Sequence, residues 1–151
     1  MTNTTTGKVL KLYITKNDKT KTRISTKKVE LDTHGIKGDK FYEKDIQRAI
    51  LVTSLESYKL AQNNGIEINT GVLGENILID INPYSLNAGD QIKIGNTLME
   101  ITQNCTLCKG LTSINSKLPK LLKDDRGVFA KVINGENTIY VGDSVELIQG
   151  S

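Results

Sequence analysis

Ala88-Gly89-Asp90-Gln91-Ile92-Lys93-Ile94 and Val141-Gly142-Asp143-Ser144-Val145-Glu146-Leu147 are two copies of one local pattern. Each is a Gly-Asp turn followed by strict alternation of polar and apolar residues. A period of two puts every second side chain on one face of an extended chain, the signature of a turn feeding a strand. Thr97–Ile101 and Asn137–Val141 read as partner strands, and Gly95-Asn96 as a tight hairpin. Lys8–Ile14, Lys28–Leu31, Ala49–Val52 and Ile77–Ile79 are further strand candidates. One helix is expected: Thr53 and Glu56 form a T-x-x-E capping box, Leu55, Tyr58, Leu60 and Ala61 give an apolar face, and Gly65 ends it. Residues 1–6 read as a mobile tail, and Leu111–Leu122 as partly helical with Pro119 interrupting. About eight short strands and one clear helix predict a mainly β fold, best closed as a barrel that removes exposed edges. A doubly wound α/β fold would need helices between most strands.

The 151 residues suit a single domain, 1–151, with enough chain to bury a core. Net charge is +3, which permits an anionic ligand and gives no argument for nucleic acid. Lysines dominate the cations, and Arg23, Arg48 and Arg126 are the only arginines. No apolar run is long enough to span a membrane. The first residues lack the apolar stretch of an export signal, so a reducing, cytoplasmic location is expected.

The stretch Thr102-Gln103-Asn104-Cys105-Thr106-Leu107-Cys108-Lys109-Gly110 holds both cysteines. It follows a strand pattern, and Lys109 stands behind Cys108. A nearby cation lowers a thiol pKa and makes the reactive thiolate. Other readings stay open at this point. A C-x-x-C pair can bind zinc, but four ligands are the rule, and His34 is the one histidine. A redox pair of the thioredoxin kind needs a βαβ setting. Two buried cysteines can also be plain core residues. A single reactive or metal-liganding thiol is the leading reading. Three Gly-punctuated loops accompany it: Gly35–Asp39, Gly71–Asn76 and Asp125–Ala130.

Taken together, Gly35-Ile36-Lys37-Gly38-Asp39, Arg48-Ala49-Ile50-Leu51, Gly71-Val72-Leu73-Gly74-Glu75-Asn76-Ile77, Ala88-Gly89-Asp90, Cys108-Lys109, Arg126-Gly127-Val128-Phe129-Ala130-Lys131-Val132 and Val141-Gly142-Asp143 resemble the MOSC family. This is the domain found at the C-terminus of molybdenum-cofactor sulfurases and in stand-alone bacterial proteins. The resemblance covers nearly the whole chain, and G-x-x-GEN and R-G-x-[FY]-A-[KR]-V are its specific motifs. It implies a β-barrel-like fold and binding of the molybdenum cofactor (molybdopterin), with sulfur or metal handled through one cysteine. That cysteine lies five residues after a Gln, which here selects Cys108 over Cys105, as catalytic residue and metal ligand. Phe41 stands where relatives commonly have His, so no histidine role is implied.

For the cofactor, the resemblance implies contacts from Arg48, Thr53, Ser54, Glu75, Asn76, Lys109 and Arg126. The ligand's phosphate would suit the helix N-terminus at Thr53 and Ser54. The implied activity is sulfur transfer to the cofactor without pyridoxal phosphate, or cofactor-dependent reduction of N-hydroxylated compounds. A non-catalytic cofactor carrier is the alternative, and a structural barrel that binds a protein is a third. A pyridoxal-dependent domain is not part of the sequence, so a sulfur-donor or electron-donor protein is the expected partner.

Overall fold

The computed structural model describes residues 3–16, 19, 23–105, 111–133 and 135–149. Cys108 and Lys109 lie outside the described residues. Eleven strands are found among them: β1 (Asn3–Thr15), β2 (Arg23–Thr26), β3 (Lys28–Asp32), β4 (Gly35–Ile36), β5 (Ile50–Ser54), β6 (Ile77–Ile79), β7 (Gln91–Ile94), β8 (Thr97–Asn104), β9 (Val128–Val132), β10 (Asn137–Tyr140) and β11 (Ser144–Gln149). The helices are α1 (Leu55–Asn63), α2 (Leu111–Ile114) and α3 (Leu118–Leu121). The fold is mainly β, as the alternating runs predict.

Seven strands close into a barrel in the order β11-β7-β8-β9-β5-β6-β1, with β1 returning to β11. β2 extends the sheet beyond β1, and β10-β3-β4 form a small second sheet. The strand β1 is long enough to serve several neighbours. Its residues 3–8 pair with β11, Val9–Leu12 with β6 and Leu12–Thr15 with β2. A bulge between Val9 and Lys11 bends it between these duties. Of the tail expected over residues 1–6, Asn3–Thr6 are paired strand, and residues 1–2 lie outside the described residues.

The alternation in the two Gly-Asp copies does what a half-buried strand requires. Ile92, Ile94, Val145 and Leu147 point into the barrel core, where Val9, Leu12, Ile50, Val52, Met99, Ile101, Val128 and Ala130 meet them. The hairpin at Gly95-Asn96 forms between paired Ile94 and Thr97. Gly95 has φ +58, and Glu43 is the only described non-glycine with positive φ, so only the first central residue is left-handed. That is the II′ arrangement, which places Gly first.

The partner of the second copy is corrected. Asn137–Tyr140 pairs with β3, not with β11. Both edges of β11 are already taken by β1 and β7.

All pairs in the barrel are antiparallel except β5 with β6. A parallel pair needs a crossover, and α1 provides it. The capping box is displaced by one residue. Ser54 is the N-cap, in extended conformation, and its hydroxyl accepts from Glu56 N–H. Thr53 lies one residue too early to cap, because the extended chain of β5 runs on through Ser54 and the helix begins only at Leu55. Its Oγ1 donates instead to the carbonyl of Arg126, 2.8 Å away. The helix ends as expected at Gly65, with φ +77. Gly65 N–H donates to Gln62 O and Ile66 N–H to Ala61 O, a Schellman closure in which Ile66 packs back onto the helix. Pro119 does not interrupt a helix but sits in the first turn of α3, where it lacks no needed donor.

Candidate functional site

A cleft of about 650 Å³ lies on the outer face of the barrel. Its floor is the cross-strand pair Leu51 and Phe129, whose neighbours Ile50, Val52, Val128 and Ala130 face the core. Cys105, 4 % exposed, packs against this pair. The wall includes Thr15, Arg23, Lys40, Phe41, Lys44 and Asp45, and beyond them Arg48, Gly74, Asn76 and Arg126. All three arginines of the chain therefore meet at one place, with two lysines and, among the described residues, a single carboxylate, Asp45, on the same wall. Such a surface attracts anions.

The loops picked out in the sequence are knitted together beneath the cleft. Asn76 Oδ1 accepts from Leu51 N–H at 3.0 Å, and its Nδ2 donates to Tyr13 O and to Asp39 Oδ1. Asp39, 2 % exposed, also accepts from the N–H groups of Thr15 and Phe41. Arg126 forks onto the carbonyl of Leu73 through Nε and Nη2, at 3.1 and 3.0 Å. Thr102 donates to Gln47 O and so ties the 40–48 wall to β8. Tyr42 donates to Asp32 Oδ2 at 2.5 Å, and this bond holds the Tyr42 hydroxyl pKa up at about 12.

Of the residues the sequence nominates, Arg48, Asn76 and Arg126 line the cleft. The other described nominees do not. Thr53 and Ser54 are fully buried and occupied: Thr53 braces Arg126, and Ser54 caps α1 while its N–H donates to Tyr84 OH. The helix N-terminus expected to hold a phosphate lies outside the cleft lining, and the hydroxyls that open it serve the scaffold. Glu75, 0 % exposed, turns away from the cleft toward α1, where Oε2 accepts from Tyr58 OH at 2.6 Å and from Gly71 N–H at 3.0 Å. Its Oε1 has no partner among the described residues. Asn76 keeps its place in the wall, but its polar atoms serve the scaffold.

Sequence reasoning missed Arg23, Lys40, Lys44 and the Leu51–Phe129 floor. The clustering of all three arginines had a signal in their scarcity. Arg23 had none in its surroundings, because it reaches the cleft only through the pairing of β2 with β1.

The buried hydroxyls have a consequence in alkali. Burial, with the charge of Glu75 adding to it, raises the Tyr58 pKa above the ordinary 10.0, and burial does the same for Tyr84. The folded chain then keeps protons that the unfolded chain releases near 10.0. Folded stability is intact below that value and falls as pH rises through it. Urea midpoints recorded between pH 8 and 11 are expected to fall above about 10. The fall is expected to be shallower in Tyr58→Phe, and equal slopes in the two proteins would refute the assignment.

Comparison with known proteins fits this geometry. The MOSC domain family matches residues 24–146. The structure is similar to that of the YuaD protein from Bacillus subtilis, with TM-score 0.85, 21% identity and full coverage of both chains. It is also similar to YiiM from Escherichia coli (TM-score 0.71, 20% identity, 97% of this chain and 71% of that one). YiiM from Geobacillus stearothermophilus gives TM-score 0.69 at 16% identity, over 95% of this chain and 75% of that one. A search of curated proteins found no significant match. The match spans most of the chain and takes in Arg48, Arg126 and the cleft floor, with Thr15 and Arg23 just before its start, so this chain belongs to the MOSC domain family.

Proposed function

We propose that the cleft binds the molybdenum cofactor and that Cys108 handles its sulfur or its metal. The observation that carries this reading is the meeting of Arg23, Arg48 and Arg126 with Lys40 and Lys44 over an apolar floor. The donor set fits the group: cations for a phosphate, and Leu51, Phe129 and Phe41 for the faces of a flat ring system. The volume lies within the range of small-molecule sites. When bound, the cofactor would supply a redox metal held by dithiolene sulfur. The chain's own residues would bind and orient it, and Cys108 would offer a soft thiolate as metal ligand or sulfur carrier. Cys108 follows Cys105 by three residues, a chain reach of at most about 11 Å from the cleft floor. Lys109 would favour its thiolate form.

A carrier without turnover is the second reading. It is favoured by the commitment of Asn76 and Asp39 to scaffold hydrogen bonds, which leaves Asp45 as the one carboxylate on the described wall. Protein purified from a cofactor-producing host decides. Molybdenum content, pterin fluorescence and persulfide mass are compared for the natural sequence, Cys105→Ser and Cys108→Ser. Metal or persulfide is expected to disappear in Cys108→Ser alone. Loss confined to Cys105→Ser overturns the assignment, and absence of both metal and pterin from the natural sequence overturns the cofactor reading. Bound cofactor without reduction or sulfur transfer selects the carrier.

A further inference from the structure

We propose that Arg23 is a ligand-recognition residue and that the cleft is directional, with the anionic end of its ligand seated against Arg23, Thr15 and Lys40. The inference rests on the reading of the cleft as a cofactor site only in taking it to be a binding site.

The cleft crosses consecutive strands of the sheet. Cys105 directly follows β8, Phe129 is on β9, Leu51 on β5, Asn76 precedes β6, Thr15 ends β1 and Arg23 begins β2. Five strand spacings separate the two extremes, up to about 24 Å along the curved sheet. The chemistry differs between them. The β8–β9 end offers a sulfur, an aromatic ring and an apolar side chain. The β1–β2 end offers a hydroxyl and two cations, Arg23 and Lys40, both attached to Thr15: Arg23 Nη1 donates to Thr15 Oγ1 at 3.0 Å, and Lys40 N–H donates to Thr15 O at 2.8 Å.

Arg23 is held before any ligand arrives. Nη2 donates to the carbonyl of Glu75, and the guanidinium lies over the Tyr13 ring, 5.4 Å from its centroid. Tyr13 is itself fixed by a 2.7 Å hydrogen bond with Thr70. A guanidinium has five N–H groups, so two bonds to the protein leave three for a ligand. A planar, braced fork loses little entropy on binding and matches the oxygens of a phosphate. Ordinary strapping of β2 to β1 would need no opening onto a cleft, whereas Arg23 lines one.

The test uses inorganic pyrophosphate as probe, with chloride at matched ionic strength as control. A ligand that binds only the folded state raises the unfolding midpoint in a saturable way. The natural sequence is expected to show that rise. Arg23→Gln is expected to weaken it on the order of tenfold to a hundredfold, the scale of hydrogen bonds to a charged group, and Arg23→Lys to recover part of it. The midpoint without pyrophosphate is recorded for each variant, so loss of the strap is separated from loss of the ligand. Equal pyrophosphate affinity in Arg23→Gln and the natural sequence overturns the proposal, as does no saturable rise in the natural sequence. Pyrophosphate binding through Arg23 without any bound metal or pterin would leave this inference standing and remove the cofactor reading. Equal cofactor retention in Arg23→Gln and the natural sequence would do the reverse.

Discussion

Gly127→Ala is expected to lower the free energy of unfolding by about 1–3 kcal/mol, the usual cost of forcing a methyl group into filled space. The methyl would meet Leu51 Cδ1 at 2.8 Å, Thr53 Oγ1 at 2.8 Å and the carbonyl oxygen of Val52 at 2.9 Å. Leu51 could rotate away. The Val52 carbonyl could not, because β5 is held on one side by β6 and on the other by β9. Thr53 is no freer, since its hydroxyl is bonded to the carbonyl of Arg126. Relief must therefore come from moving the chain at Gly127 itself. That segment positions the cleft: Arg126 reaches Leu73 O from it, and Gly127 O accepts from Cys105 N–H at 2.9 Å. Ligand affinity is expected to fall together with stability. An unchanged urea midpoint in Gly127→Ala would show that β5 and β9 yield more easily than their pairing implies.

This glycine also marks the boundary of what a sequence can disclose. The R-G-x-[FY]-A pattern is visible as letters, but its Gly is there because one strand passes close to another, which is a long-range fact. The alternating runs were legible because a strand's pattern is local: Ile92, Ile94, Val145 and Leu147 are buried as the period of two requires. Pairing was not legible. Asn137–Tyr140 went to β3 because β1 and β7 had taken both edges of β11. The cap moved from Thr53 to Ser54 for a similar reason, since pairing with β6 carries the extended chain through Ser54 and delays the helix to Leu55.

The site divides in the same way. Motif letters mark residues that must stay, without saying whether they face a ligand or brace the wall behind it. Arg48 and Arg126 line the cleft, whereas Thr53 and Glu75 satisfy buried groups of the scaffold. Arg23 lies in none of the motifs and enters the wall through tertiary structure alone.

Glu75 carries the other large expected effect, as a brace rather than a ligand contact. Its carboxylate is wholly buried beneath α1. Oε2 receives the Tyr58 hydroxyl and Gly71 N–H, and the same Tyr58 oxygen lies 2.9 Å from Gly71 N and 3.3 Å from Leu73 N. One carboxylate oxygen thus folds the turn from Gly71 to Leu73 onto the helix. Removing the side chain in Glu75→Ala leaves the Tyr58 proton without its acceptor and opens a void between α1 and β6. Each unsatisfied buried group costs about 1–3 kcal/mol, and the void adds to it. Part of this is returned, because the partnerless Oε1 is removed as well. A net loss of about 2–4 kcal/mol is expected on those terms. Glu75→Gln keeps an oxygen for Tyr58 and Gly71 but places an amide where Oε1 had no partner, so a smaller loss is expected. The turn matters to the cleft as well, since Leu73 O holds Arg126 and Glu75 O holds Arg23. Pyrophosphate affinity should therefore fall in Glu75→Ala although the side chain never reaches the cleft. Equal urea midpoints in Glu75→Ala and Glu75→Gln would show that the Tyr58 hydrogen bond does not brace the turn.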